Sequence, residues 1–199
     1  GTLYKLAAGP AAPLISSPHK EAAPLISSPH KEEAPLVRPS GNEAPPDIEA
    51  LKAPLLSCDA VVHCAAYLKF WGPEKDFEDA NIGITKNLLD ATKESKVKRF
   101  IFISAASVAM NKRKALININ ETHPYCSLEE MPYSRTKGIA EQLVLSAHNK
   151  HLKTIALRPP FIWGNGDAVD KQIGQAANQN QFAWFSNGNY PFATCHIHN

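Results

Sequence analysis

The sequence predicts an α/β chain: a partial doubly wound parallel sheet preceded by a proline-rich segment with no fold of its own. Three observations carry this. From residue 47 onward, short apolar runs bounded by polar turns alternate with helical stretches. Of the 16 prolines, 10 fall at or before Pro54. Inside that proline-rich part the block APLISSPHKE occurs at residues 12–21 and again at 23–32, and a third copy starts as APLV at 34–37.

The repeat has a period of 11 residues. That is too short for a solenoid unit, and each proline removes an amide donor and restrains the residue before it. Residues 1–46 are therefore expected to be extended or disordered. Residues 47–199 are expected to form the folded domain. Asp47, Ile48, Leu51 and Leu55 lead into its first strand, the apolar run Ala60-Val61-Val62-His63-Cys64 behind the turn Ser57-Cys58-Asp59. A helix follows over 78–95 with Ile84, Leu88 and Ala91 on one face. The run RFIFIS at 99–104 is the next strand. A second helix over 133–149 places Ile139, Leu143 and Ala147 on one face, and TIAL at 154–157 is a third strand. Such runs suit strands buried on both faces of a parallel sheet.

Composition narrows the function classes. An apolar fraction of 44% and a charged fraction of 20% are those of a globular chain. A net charge of +2 gives no reason to expect nucleic acid or an anionic membrane as partner. No run of 18 apolar residues is present, and no signal region opens the chain, so a cytoplasmic protein is expected. The four cysteines (Cys58, Cys64, Cys126, Cys195) have no metal-ligand spacing and read as reduced thiols. His196 and His198 alternate on one face of a strand, but no metal site is expected there.

Tyr133-Ser134-Arg135-Thr136-Lys137 is a YxxxK pattern. On a helix the phenol and the ammonium share a face. A nearby ammonium stabilises tyrosinate, which suits Tyr133 to exchange a proton with a hydroxyl or carbonyl group. Pro132 suits the first turn of that helix. Alone the pattern is common. Its neighbours are not: DAVVHCAA at 59–66, NIGITKNLL at 81–89, FIFISAAS at 100–107, LRPPFIWGNGD at 157–167 and HIHN at 196–199 stand around it in order.

With these segments the chain resembles the extended short-chain dehydrogenase/reductase family, the NAD-dependent epimerase/dehydratase group. The LRPP and WGxGD wording leans toward its 3-beta-hydroxysteroid dehydrogenase-like branch. The resemblance covers about 140 residues. It implies a Rossmann-like sheet, NAD or NADP as cofactor and a small-molecule substrate. It implies Tyr133 as acid/base, with Lys137 tuning it and holding the nicotinamide ribose. Ala65 and Ala66 would let the cofactor pass close to the backbone, Asn81 would brace the active-site strands, and Pro159 and Pro160 would shape the loop against the nicotinamide. The family's hydroxyl donor falls at Ala105, three residues before Val108; Ser104 and Ser107 flank it, with Ser104 favoured.

The family's GxxGxxG turn, which brings backbone amides to the pyrophosphate, has no counterpart before Ile48, where the glycines are Gly1, Gly9 and Gly41. The early strands are expected to be missing, a sheet edge to be exposed and the fold to be marginal or to need a homo-oligomer or a complementing chain. The expected function is an NAD(P)-dependent oxidoreductase or epimerase acting on a secondary alcohol or ketone, impaired by loss of the cofactor loop. The alternatives are a non-catalytic truncated remnant or binding module of the same family, or a piece of a larger enzyme.

Overall fold

A computed structural model describes residues 2–6, 48–69, 71–111, 116–165, 174–179, 181, 188–189 and 192–198. The repeat copies, Gly9, Gly41, Asp47, Gly166, Asp167 and Asn199 lie outside these residues. The described residues up to Arg158 form one compact unit, and those from Pro159 onward form a second.

The first unit is built on a four-stranded parallel sheet in the order β1-β2-β3-β4, with β1 Thr2–Leu6, β2 Cys58–His63, β3 Arg99–Ile103 and β4 Lys153–Leu157. β1 departs from the sequence expectation. The segment TLYKL, with β-favouring Thr2 and Tyr4, pairs along β2, with Tyr4 opposite Val61 and Leu6 opposite His63. Lys5 interrupts the apolar run, so hydropathy alone does not mark a strand there. The β2 edge expected to be exposed is paired by this strand.

α1 (Ile48–Leu55) precedes β2 and buries Leu51 and Leu55. Between β2 and β3 run α2 (Glu74–Phe77), a π-helical turn (Glu78–Gly83) and α3 (Ile84–Thr92). α4 (Pro132–Ser146) joins β3 to β4 and starts on Pro132, whose missing N–H is unneeded in a first turn. Each crossover moves one strand further in the same direction, so with right-handed connections the helices collect on one face. One core results, in which Leu55, Leu88 and Val144 of the helices meet Val61, Phe100 and Phe102 of the strands.

The other face differs from the expectation of strands buried on both sides. Along β3, Phe100 and Phe102 are buried while Ile101 and Ile103 are only half-buried. On β4, Ile155 is 51% exposed and Leu157 45% exposed. Val62, Ile101 and Ile155 lie side by side in register, as do Ile103 and Leu157. Among the described residues these rows form an apolar face that the helices do not cover.

In the second unit, β5 (Phe161–Trp163) pairs in parallel with β6 (Thr194–His196), with Trp163 opposite His196. The segments that resemble WGxGD and HVDN are thus brought side by side. A Cβ on Gly164 would lie 2.5 Å from Ile197 Cγ2, so glycine is what lets the two approach. Among the described residues no helix is long and apolar enough to cross a membrane.

Candidate active site

The C-terminal ends of β2 and β3, together with α4, carry most of the residues singled out in the sequence. The buried stripe of α4 is not Ile139, Leu143 and Ala147, which are only partly buried. It is Ser134, Lys137, Glu141 and Val144, flanked by Thr136 and Ala140. A hydropathy pattern misses it because the buried face carries charge.

Lys137 is 1% exposed. Its Nζ donates to the Ile103 carbonyl at 2.7 Å and lies 4.1 Å from the centre of the Phe102 ring. Burial lowers its pKa to about 8, against the opposing influence of Cys64 and Glu141. Tyr133, one helical turn before it, is half-buried, and loss of water pushes its phenol above the usual tyrosine range. The expectation that the ammonium lowers the tyrosine is therefore corrected. Desolvation of the phenol dominates, and the ammonium is engaged at the end of β3.

The two candidate hydroxyls differ in kind. Ser104 is buried and donates its one proton to Glu141 Oε2 at 2.5 Å. Ser107 lies in a 3₁₀ turn (Ala106–Ala109), and its Oγ is buried with no hydrogen-bond partner among the described residues. Ser104 thus has no proton left to donate to a substrate oxygen, although it can still accept one, whereas the Ser107 proton is uncommitted among the described residues. Ala105, between them, has no hydroxyl.

Ala65 is buried and Ala66 half-buried just beyond β2. Asn81, in the π-helical turn, is 1% exposed. Its Oδ1 accepts the Tyr67 amide at 2.7 Å and its Nδ2 donates to Thr136 Oγ1 at 2.9 Å. It joins the segment after β2 to α4, and it keeps one amide N–H and one oxygen lone pair beyond these two bonds. Pro159 and Pro160 are half-buried and belong to the second unit.

Two buried groups were not singled out for a role. Glu141 accepts from Ser104, from the Tyr125 hydroxyl at 3.0 Å and from Arg158 Nη2 at 2.7 Å. Its signal was present, since Tyr133, Lys137 and Glu141 recur every fourth residue along one helix face. His63 is fully buried, with Nε2 2.8 Å from Thr85 Oγ1. The Thr85 hydroxyl donates to the Asn81 carbonyl at 2.6 Å, so the proton between His63 and Thr85 sits on Nε2. Nδ1 is then a buried acceptor without a partner among the described residues.

The sequence profile of the 3-beta hydroxysteroid dehydrogenase/isomerase family matches residues 46–194. The chain is 34% identical over 152 residues to 4-hydroxy-2-methyl-3-oxo-4-farnesyl-3,4-dihydroquinoline-1-oxide ketoreductase of Stigmatella aurantiaca, covering 76% of this chain and 45% of that protein. It is 34% identical over 145 residues to the decarboxylating sterol-4-alpha-carboxylate 3-dehydrogenase of Candida albicans, covering 66% and 41%. Among solved structures it resembles UDP-glucuronic acid 4-epimerase from Bacillus cereus in complex with NAD, at 29% identity and a TM-score of 0.57 over 68% of this chain and 44% of that one. It also resembles a short-chain dehydrogenase/reductase superfamily protein from Agrobacterium tumefaciens with bound NAD, at 25% identity and a TM-score of 0.55 over 71% and 47%. The chain spans a little under half the length of these relatives. With the profile matched from before α1 to the start of β6, on the parallel sheet and helix order just described, the chain belongs to the 3-beta hydroxysteroid dehydrogenase/isomerase family.

Proposed function

We propose that this chain carries the acid/base half of an NAD(P)-dependent oxidoreductase that reduces a ketone to a secondary alcohol. The observation that supports it is a phenol whose pKa burial raises, one turn from a buried lysine, at the C-terminal ends of parallel strands. The small residues Ala65 and Ala66, the unpartnered hydroxyl of Ser107 and the Lys137 ammonium suit the nicotinamide-ribose end of the cofactor. Lys137 has one acceptor in Ile103, which leaves two of its three N–H groups for ribose oxygens. Among the described residues no glycine-rich turn joins a strand to a helix for the pyrophosphate end. When bound, the nicotinamide supplies the hydride.

Tyr133 gives its proton to the substrate carbonyl oxygen as that oxygen gains charge. The resulting tyrosinate is balanced by the Lys137 ammonium one turn away. Ser107 donates a hydrogen bond to the same oxygen and orients it. A protonated phenol at neutral pH favours this reductive direction over alcohol oxidation, which would need tyrosinate as base. Ala105 at the family's hydroxyl position favours the second reading, a non-catalytic binding module.

NADH titration, followed by energy transfer from tryptophan, and turnover of a panel of ketones separate the readings. Ketone reduction should be seen in the wild type and lost in Tyr133→Phe, with NADH binding unchanged. Turnover that survives Tyr133→Phe would remove the acid/base role, and NADH binding without any turnover would favour the binding module.

A further inference from the structure

Glu141 is a buried carboxylate with no part in the proton transfer just described, and it gathers three chain segments. Its Oε2 accepts Ser104 Oγ, from the residue that follows β3, at 2.5 Å. Its Oε1 accepts the Tyr125 hydroxyl at 3.0 Å. Arg158, the residue that follows β4, donates Nε and Nη2 to Oε1 at 2.9 and 2.7 Å, and its guanidinium lies 5.1 Å from the centre of the Tyr125 ring. The backbone supports the same arrangement. Ser104 N donates to Leu157 O at 2.7 Å, and Cys126 N donates to Val108 O, in the turn bearing Ser107, at 2.6 Å. At Gly138, between Lys137 and Glu141, an added Cβ would stand 3.1 Å from Tyr125 Cδ1, so the ring packs on the helix backbone there.

An apolar cluster of the same volume would fill this space without the cost of burying an ion pair. What the charged cluster adds is direction, since each partner is held by hydrogen bonds in one orientation. It also places a carboxylate one helical turn after the buried ammonium of Lys137.

We infer that Glu141 is the positioning residue of this site: it clamps the exits of β3 and β4 and the Ser107 turn to the helix bearing Tyr133 and Lys137, and balances the Lys137 charge. The inference rests on the acid/base reading of that pair. Lys137 is faced by Glu141 from its own helix, and by His63 and Cys64 from β2 and the residue beyond it, with Tyr133 one turn before it along the helix.

The test is an NMR titration of the Lys137 ammonium in the full chain, assigned by its disappearance in Lys137→Met. Glu141→Gln removes the carboxylate and leaves Arg158 uncompensated, so Lys137 should titrate about 1 pH unit lower. Arg158→Met leaves Glu141 uncompensated, so Lys137 should titrate higher. A general loosening of the fold would admit water and raise Lys137 in both variants. Upward movement in Glu141→Gln, or no movement in either variant, overturns the inference. Should Glu141→Gln not fold, Arg158→Lys decides, since it keeps the charge and loses the fork. Lys137 should then stay at its wild-type value, and a rise to match Arg158→Met overturns the inference. An absence of NADH binding in the wild type counts against the oxidoreductase reading and leaves this titration readable.

Discussion

Lys137 and His63 are buried bases that the fold pushes toward their neutral forms, and each makes stability depend on pH. Burial, helped by the charge of Lys137, lowers the pKa of His63 to about 3. Between that value and the 6.5 of an exposed histidine, the unfolded chain binds a proton that the folded chain refuses, so stability falls as pH falls through this window. The slope reaches about 1.4 kcal/mol per pH unit. Urea midpoints measured from pH 7 to pH 4 should drop less steeply in His63→Gln than in the wild type. The sign is the same for Lys137 in a higher window. Its folded pKa of about 8 lies below the usual 10.5, so its burial costs stability at all pH values below 8 and costs less as pH rises toward 10.5. Lys137→Met should stabilise the chain by about 1–3 kcal/mol at pH 7 while removing ketone reduction. A lower urea midpoint in that variant would mean that the Ile103 hydrogen bond outweighs desolvation. Tyr133 and Lys137 were legible in the sequence because motif neighbours marked them. Their protonation states were not, because those depend on burial that four-residue spacing does not encode.

At the scale of elements, the π-helical turn Glu78–Gly83 carries the side chain that ties β2 to α4. The wider turn inserts one residue into the helix, and Asn81 from it reaches both Tyr67 and Thr136. Asn81→Ala should cost about 2–3 kcal/mol, since it deletes one buried and one part-buried hydrogen bond and strands the Tyr67 amide. Amide exchange at Tyr67, which lies outside any strand or helix, should be faster in that variant than in the wild type. Gly164→Ala would force the β5 and β6 segments apart at Ile197, and circular dichroism with thermal melting should register a destabilisation of about 1–3 kcal/mol. The three apolar runs read from the sequence are β2, β3 and β4 to within two residues, in β2 and β3 because a buried strand face writes itself as hydropathy, and in β4 through Ile155 and Leu157, which stand exposed. The helix over 78–95 was legible through Ile84, Leu88 and Ala91, all buried. The π-helical turn inside it was not, since one inserted residue leaves the apolar spacing of α3 intact.

For the molecule as a whole, the fold class and family were carried by the order of the segments between Asp59 and His198. β1 was not, because a five-residue strand with a central lysine is defined by the neighbour it pairs with. Among the described residues, the sheet it joins has two unlike faces, one packed under α1, α3 and α4 and the other showing rows of Val, Ile and Leu. Dyes such as anilinonaphthalene sulfonate become fluorescent on apolar protein surface and are read as signs of a loosened core. This chain should light such a dye while fully native, with near-ultraviolet dichroism intact, and Ile155→Lys with Leu157→Lys should quench the signal without lowering the melting temperature. Dye fluorescence from a preparation of this protein is therefore no measure of misfolding until that surface contribution has been subtracted.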